Sequence, residues 1–127
     1  MSAKKSILAA AFAVILVFAG SAFGDIGENL TGNYQGTFIG DDYGWFRIDV
    51  NPDGSITGTV HSNTSYLDMD VQGTCDFNGE CEFVTAGYEL VPYYFLGKID
   101  FMNRFIGKWS YTDHSGRGSF YGILQRD

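Results

Sequence analysis

The chain has 127 residues, with 15 Asp and Glu against 8 Lys and Arg, 17 glycines, two prolines and two cysteines. That length accommodates one small domain and excludes a large two-domain enzyme with separate cofactor and substrate lobes. Aromatic residues make up 17% and charged residues only 18%, a composition that argues against intrinsic disorder.

Met1 to Gly24 reads as an export signal. Lys4 and Lys5 form the charged start, Ile7 to Ala19 the apolar run, and Gly20-Ser21-Ala22-Phe23-Gly24 a small-residue stretch suited to cleavage after Gly24 or Ala22. The run falls short of the about 20 apolar residues a bilayer span needs, so a retained N-terminal anchor is the weaker reading. Residues 25–127 are then the mature domain, expected to be exported to the periplasm or beyond the cell without stable membrane insertion. Cleavage removes two cations and no anions, taking the formal charge from −7 to −9. The remaining cations, Arg47, Lys98, Arg104, Lys108, Arg117 and Arg126, are scattered singly in sequence, and nucleic acid is not an expected partner.

In chain order, strands are predicted at Leu30–Ile39, Trp45–Asn51, Ser55–His61, Tyr66–Asp76, Glu80–Ala86, Tyr93–Phe101, Arg104–Tyr111 and Arg117–Gln125, with no convincing helix because glycine recurs too often. The clearest unit is the hairpin through Asn51-Pro52-Asp53-Gly54. Pro52 presets the turn, Gly54 supplies positive φ, and Phe46, Ile48 and Val50 face Ile56, Gly58 and Val60 across it.

Further along, Cys75 and Cys81 flank an Asn-Gly turn. A three-residue loop Phe77-Asn78-Gly79 with Gly79 left-handed pairs Asp76 with Glu80 and sets Cys75 directly opposite Cys81, in the non-hydrogen-bonded site where side chains come closest. We therefore expect a structural disulfide, consistent with an oxidising compartment. The spacing matches neither a redox Cys-x-x-Cys motif nor a zinc set.

Short connections make each strand the neighbour of the next, and a meander of eight strands leaves two unprotected edges unless the first closes on the last. The expected fold is all-β: an eight-stranded antiparallel up-and-down β-barrel, with a two-layer β-sandwich as the alternative. The inward phase carries Gly36, Gly58, Gly73, Gly97, Gly107 and Gly122 beside Tyr34, Phe38, Phe46, Phe83, Phe95, Phe101, Phe105, Trp109 and Phe120. Small beside large suits a tapered barrel. The strands flanking Asn103 allow two registers, one of which would exchange Phe105, Gly107 and Trp109 for Ile106 and Lys108.

The segments Leu30-Thr31-Gly32-Asn33-Tyr34 and Asp53-Gly54-Ser55-Ile56-Thr57-Gly58-Thr59-Val60 resemble the opening of avidin-like and lipocalin-like (calycin-type) barrels. That resemblance implies an eight-stranded barrel with a small-molecule pocket at one mouth. It does not carry a biotin site, since Gly36 stands where avidins place an Asn and Val60 where they place a Tyr, leaving only Ser62 as a pocket hydroxyl.

Several constellations merit a chemical reading. His61 and His114 are the only histidines, each followed by a Ser near a predicted strand end; Asp113-His114-Ser115 has the letters of a catalytic triad, but consecutive turn residues point in different directions. Asp41 and Asp42, or Asp68 and Asp70, supply too few oxygens for calcium. Tyr43, Trp45, Tyr88, Tyr93 and Tyr94 lie near loops and suggest sugar stacking or packing of the barrel ends; Tyr88, Leu90, Val91 and Pro92 suggest a lid or a plug.

No catalytic residue, metal or cofactor is expected. The leading expectation is a non-enzymatic barrel whose Tyr34, Phe38, Phe46, Phe95, Trp109 and Phe120 contact a small apolar or amphipathic ligand. The alternative is a solid-cored structural or interaction protein acting through an outer apolar surface of Val84, Leu96, Ile106, Tyr121 and Ile123, toward a second copy or an envelope partner. A connected cavity of roughly several hundred Å³ inside the barrel would support the first reading, and close packing of Phe38, Phe46, Phe95 and Phe120 at the axis would favour the second.

Overall fold

The computed structural model describes residues 29–86 and 91–126. The expected signal segment, together with Tyr88 and Leu90, lies outside them. Eight strands follow in order: β1 (Gly32–Gly40), β2 (Gly44–Val50), β3 (Ser55–Ser62), β4 (Leu67–Cys75), β5 (Glu80–Ala86), β6 (Tyr93–Ile99), β7 (Arg104–Tyr111) and β8 (Arg117–Leu124). Each is antiparallel to the next, and β1 pairs with β8 from Tyr34↔Leu124 to Gly40↔Gly118, closing the barrel. The sandwich alternative is thereby set aside. Among the described residues no helix is long and apolar enough to cross a membrane.

Alternation explains the register. Phe46, Ile48 and Val50 meet Val60, Gly58 and Ile56 as the hairpin pattern requires, and all but the glycine are buried. Gly54 adopts φ 89° in its turn and Gly79 φ 85° in the Cys75–Cys81 hairpin, where the two cysteines are directly opposed and bonded to each other. Both point into the barrel.

The interior is a stack of rings. Phe83 lies flat on Phe95 with centroids 4.5 Å apart, Phe120 meets Phe105 edge-on at 5.0 Å, and Phe46 meets Phe120 at 5.6 Å. Edge-to-face and offset contacts at such distances are the favoured aromatic geometries. Glycine makes the stack possible: a Cβ on Gly122 would sit 2.7 Å from the Phe46 ring, and one on Gly97 2.6 Å from the Phe120 ring. Phe105 and Trp109 are both buried, which fixes β7 in the first of its two possible registers.

Two expectations about side-chain direction need correction. Phe101 is not an inward residue of β6: that strand ends at Ile99, and Phe101 sits in the following turn with 92% of its surface exposed. The turn forms because Asn103 takes the left-handed conformation (φ 59°) that Gly79 takes in the β4–β5 hairpin, a region Asn enters more readily than other non-glycine residues. Val84, expected on the open outer surface, is only 1% exposed. Tyr94 stands directly opposite it and bonds Glu82, two residues along the same face, so the tyrosine ring covers the valine.

Candidate functional site

The end of the barrel that carries the β1–β2, β3–β4, β5–β6 and β7–β8 connections is called the upper end. Here Asp42, in the β1–β2 turn, is only 1% exposed. Its carboxylate accepts hydrogen bonds from Ser62 Oγ (2.8 Å), Thr64 Oγ1 (2.8 Å), the Tyr43 N–H (2.6 Å) and the hydroxyl of Tyr93. Burial works against the charge, but these donors together outweigh it and hold the Asp42 carboxyl below its ordinary range. Burial first, and then the neighbouring carboxylate, push the Tyr93 phenol well above its usual value, so it stays protonated and donates. The arrangement ties the β1–β2 turn, the β3–β4 turn and the start of β6 into one knot. Ser62, the single hydroxyl left to a ligand by the avidin-like resemblance, is committed to that knot.

On the outer face of β2 and β3, Trp45 stacks on His61 with centroids 5.2 Å apart, and Arg47 lies over the indole at 5.4 Å. His61 Nδ1 is 2.6 Å from Asp68 Oδ1. Ser62, the hydroxyl next to His61 in sequence, points to the opposite side and bonds Asp42. In the β7–β8 turn the Asp113 carboxylate accepts the Ser115 N–H at 2.9 Å, a turn contact rather than a triad link to His114. Among the described residues no group of three His, Cys, Asp or Glu side chains is placed to hold a metal ion.

The described aromatic residues near loops do not come together as one sugar platform: Tyr93 is buried, Trp45 is covered by His61 and Arg47, Tyr94 is half-buried against Glu82, and of these four only Tyr43 is open. The six rings read as ligand-binding, Tyr34, Phe38, Phe46, Phe95, Trp109 and Phe120, are all buried and touch one another or their neighbours. Phe38 meets Phe95 at 5.7 Å and Trp109 at 5.5 Å; Tyr34 meets Phe105 at 6.1 Å. The rings fill the axis.

The outer surface divides sharply. Strands β2 to β5 carry Asp49, Asp68, Asp70, Glu80 and Glu82 with one cation, Arg47. Strands β6, β7, β8 and β1, adjacent through the barrel closure, carry Lys98, Arg104, Lys108 and Arg117 and no carboxylate at all. The cations that looked scattered along the chain are gathered on one side by folding. Exposed apolar residues share that side: Ile106 pairs directly with Tyr121, Ile123 follows on the same strand and face, Leu96 is the diagonal neighbour of Ile106, and Ile39 that of Tyr121. Four of the five residues read as an interface are therefore contiguous and open, Val84 being the one that is covered. A hollow of about 320 Å³ indents this side, lined by Tyr94, Leu96, Lys108, His114 and Arg117 among others. Carboxylates outside and rings inside are the reverse of what a barrel spanning a bilayer presents to lipid and lumen.

No protein-family model matches the chain, and no curated protein matches it. What fold and surface define is a class: a closed eight-stranded up-and-down barrel with a ring-packed axis and a two-sided exterior.

Proposed function

We propose that this is an exported, non-enzymatic interaction barrel whose working surface is the side formed by β6, β7, β8 and β1. One observation carries the reading: exposed aliphatic and aromatic side chains coincide with Lys98, Arg104, Lys108 and Arg117 on four adjacent strands that lack any carboxylate. Contiguous apolar surface rimmed by charge is where partners dock. The ring-filled axis supports this reading over a carrier of small apolar molecules, and the commitment of Asp42, Ser62 and Tyr93 to one another supports a non-catalytic role. The Cys75–Cys81 bridge supports an oxidising compartment, either periplasmic or extracellular.

Trp109 reports on the axis directly. Titration with a fluorescent fatty acid is expected to leave its emission unquenched, whereas saturable one-to-one quenching would restore the carrier reading. A photo-crosslinker at Ile106 is expected to capture a partner in the cell envelope that the same group at Thr57, on the acidic side, does not. Equal labelling from both positions would refute the assignment of the working side.

A further inference from the structure

The lower end of the barrel exposes what a soluble turn normally hides. Phe77 is 70% exposed in the β4–β5 turn, and Phe101, with Met102 beside it, is almost fully exposed in the β6–β7 turn. These turns share one construction. In each, the leading Asp N–H donates to the carbonyl four residues on, and the Asp carboxylate accepts the N–H groups two and four residues on. Asp76 serves Asn78 and Glu80; Asp100 serves Met102 and Arg104. Phe follows the Asp in both, so equivalent positions of two turns hold a ring out into solvent. Between them lies a hollow of about 360 Å³ bordered by Leu30, Ile99 and Lys98.

We propose that this end seats peripherally in the headgroup region of a lipid bilayer, with Phe77 and Phe101 as the inserting tips. This rests on the working side proposed above and extends it, because that side runs down to the same end through Ile106, Ile123 and Arg104. Two observations favour a bilayer. The turns satisfy their own backbone donors, so immersing them strips little hydrogen bonding from water. The rings stand out as separate points on a convex surface, a shape that a fluid interface accommodates more easily than a rigid partner. Lys98, Arg104 and Arg126 lie around the tips and are balanced by Asp76, Glu80 and Asp100, with Arg104 paired to Asp100 at 2.8 Å, so within a screening length of about 8 Å a headgroup meets little net charge at this end.

The path of the chain agrees. Asn29 and Leu30 lie at this end, where Asn103 Nδ2 donates to the Asn29 carbonyl, and the apolar run ending at Ala19 stops about ten residues earlier. While that run is attached and held in a membrane, the lower end is the one kept at the surface.

The experiment is flotation of the exported protein, its N-terminus fixed by mass spectrometry, with vesicles of phosphatidylcholine alone or mixed with phosphatidylglycerol. Flotation with both kinds of vesicle is expected, together with a loss of about tenfold for each of Phe77→Ser and Phe101→Ser. Thermal melts check that both variants fold. A Phe101→Trp reporter should shift to the blue and be quenched by brominated lipid, while Thr57→Trp should not. Absence of flotation, or flotation unchanged in Phe77→Ser/Phe101→Ser, overturns the proposal. If vesicles fail while the crosslinker at Ile106 captures an acidic protein, the working side stands and the bilayer does not; if both fail, both readings fall.

Discussion

The two ends of the barrel treat polar and apolar groups in opposite ways. The upper end buries a carboxylate and surrounds it with four donors from three separate stretches of chain, while the lower end turns its carboxylates onto its own turn backbones and puts phenylalanine in water. An ionised group deep in a fold is tolerated only when it is fully hydrogen-bonded, and it then ties together whatever supplies the donors. An exposed ring ties nothing. The difference separates the end that holds the barrel shut from the end that is free to engage something else.

Breaking the knot should have the largest effect on stability. Asp42→Ala strands the Ser62, Thr64 and Tyr93 hydroxyls, and a loss of about 3 kcal/mol is expected in urea unfolding. Removing the lower-end staple with Cys75→Ser/Cys81→Ser should lower stability by about 2 kcal/mol, the size expected for so short a closed loop.

Acid sharpens the comparison. The Asp42 carboxyl is held below its unfolded value, so its stabilisation is fully present above the ordinary carboxylate range and disappears as pH falls through the folded value. Wild-type stability should therefore drop on acidification, with Asp42 contributing at the upper end and the likewise lowered Asp53 and Asp100 at the lower, and Asp42→Asn should show a flatter profile. Hydrogen exchange of the Tyr43 and Thr64 amides, followed against pH, checks which end opens. The smallest effect on stability is expected at the exposed tips: Phe101→Ser should change unfolding free energy by no more than about 0.5 kcal/mol, even where vesicle binding is lost.

Much of the architecture was legible because local chemistry and global fold agree. Alternation in Phe46-Arg47-Ile48-Asp49-Val50, the Asn-Pro-Asp-Gly turn and the Asn-Gly turn between the cysteines each admit one geometry, and seven short connections leave closure as the way to protect two edges. What escaped depended on contacts distant in sequence. Asp42 reads as one of two solvated loop acids until Ser62, Thr64 and Tyr93 arrive from other strands. Phe101 reads as the end of a strand because its turn has Asn103 where the sister turn has glycine, and that asparagine is held by Leu124, Arg126, Asn29 and Tyr34, all remote in sequence. The grouping of cations follows from β6, β7 and β8 lying side by side, while bringing exposed Ile39 next to Tyr121 needs β1 beside β8, which no local pattern states. A signal was available nonetheless: five of the six cations beyond residue 24 fall between Lys98 and Arg126.

The seam between the first strand and the last has a consequence for biogenesis. Tyr34 is paired with Leu124, so the sheet cannot close until nearly the whole polypeptide is available to it. Pairings that join distant parts of a chain form late and slowly, and if the chain is exported as proposed, it would stay loose and threadable until its last strand arrives.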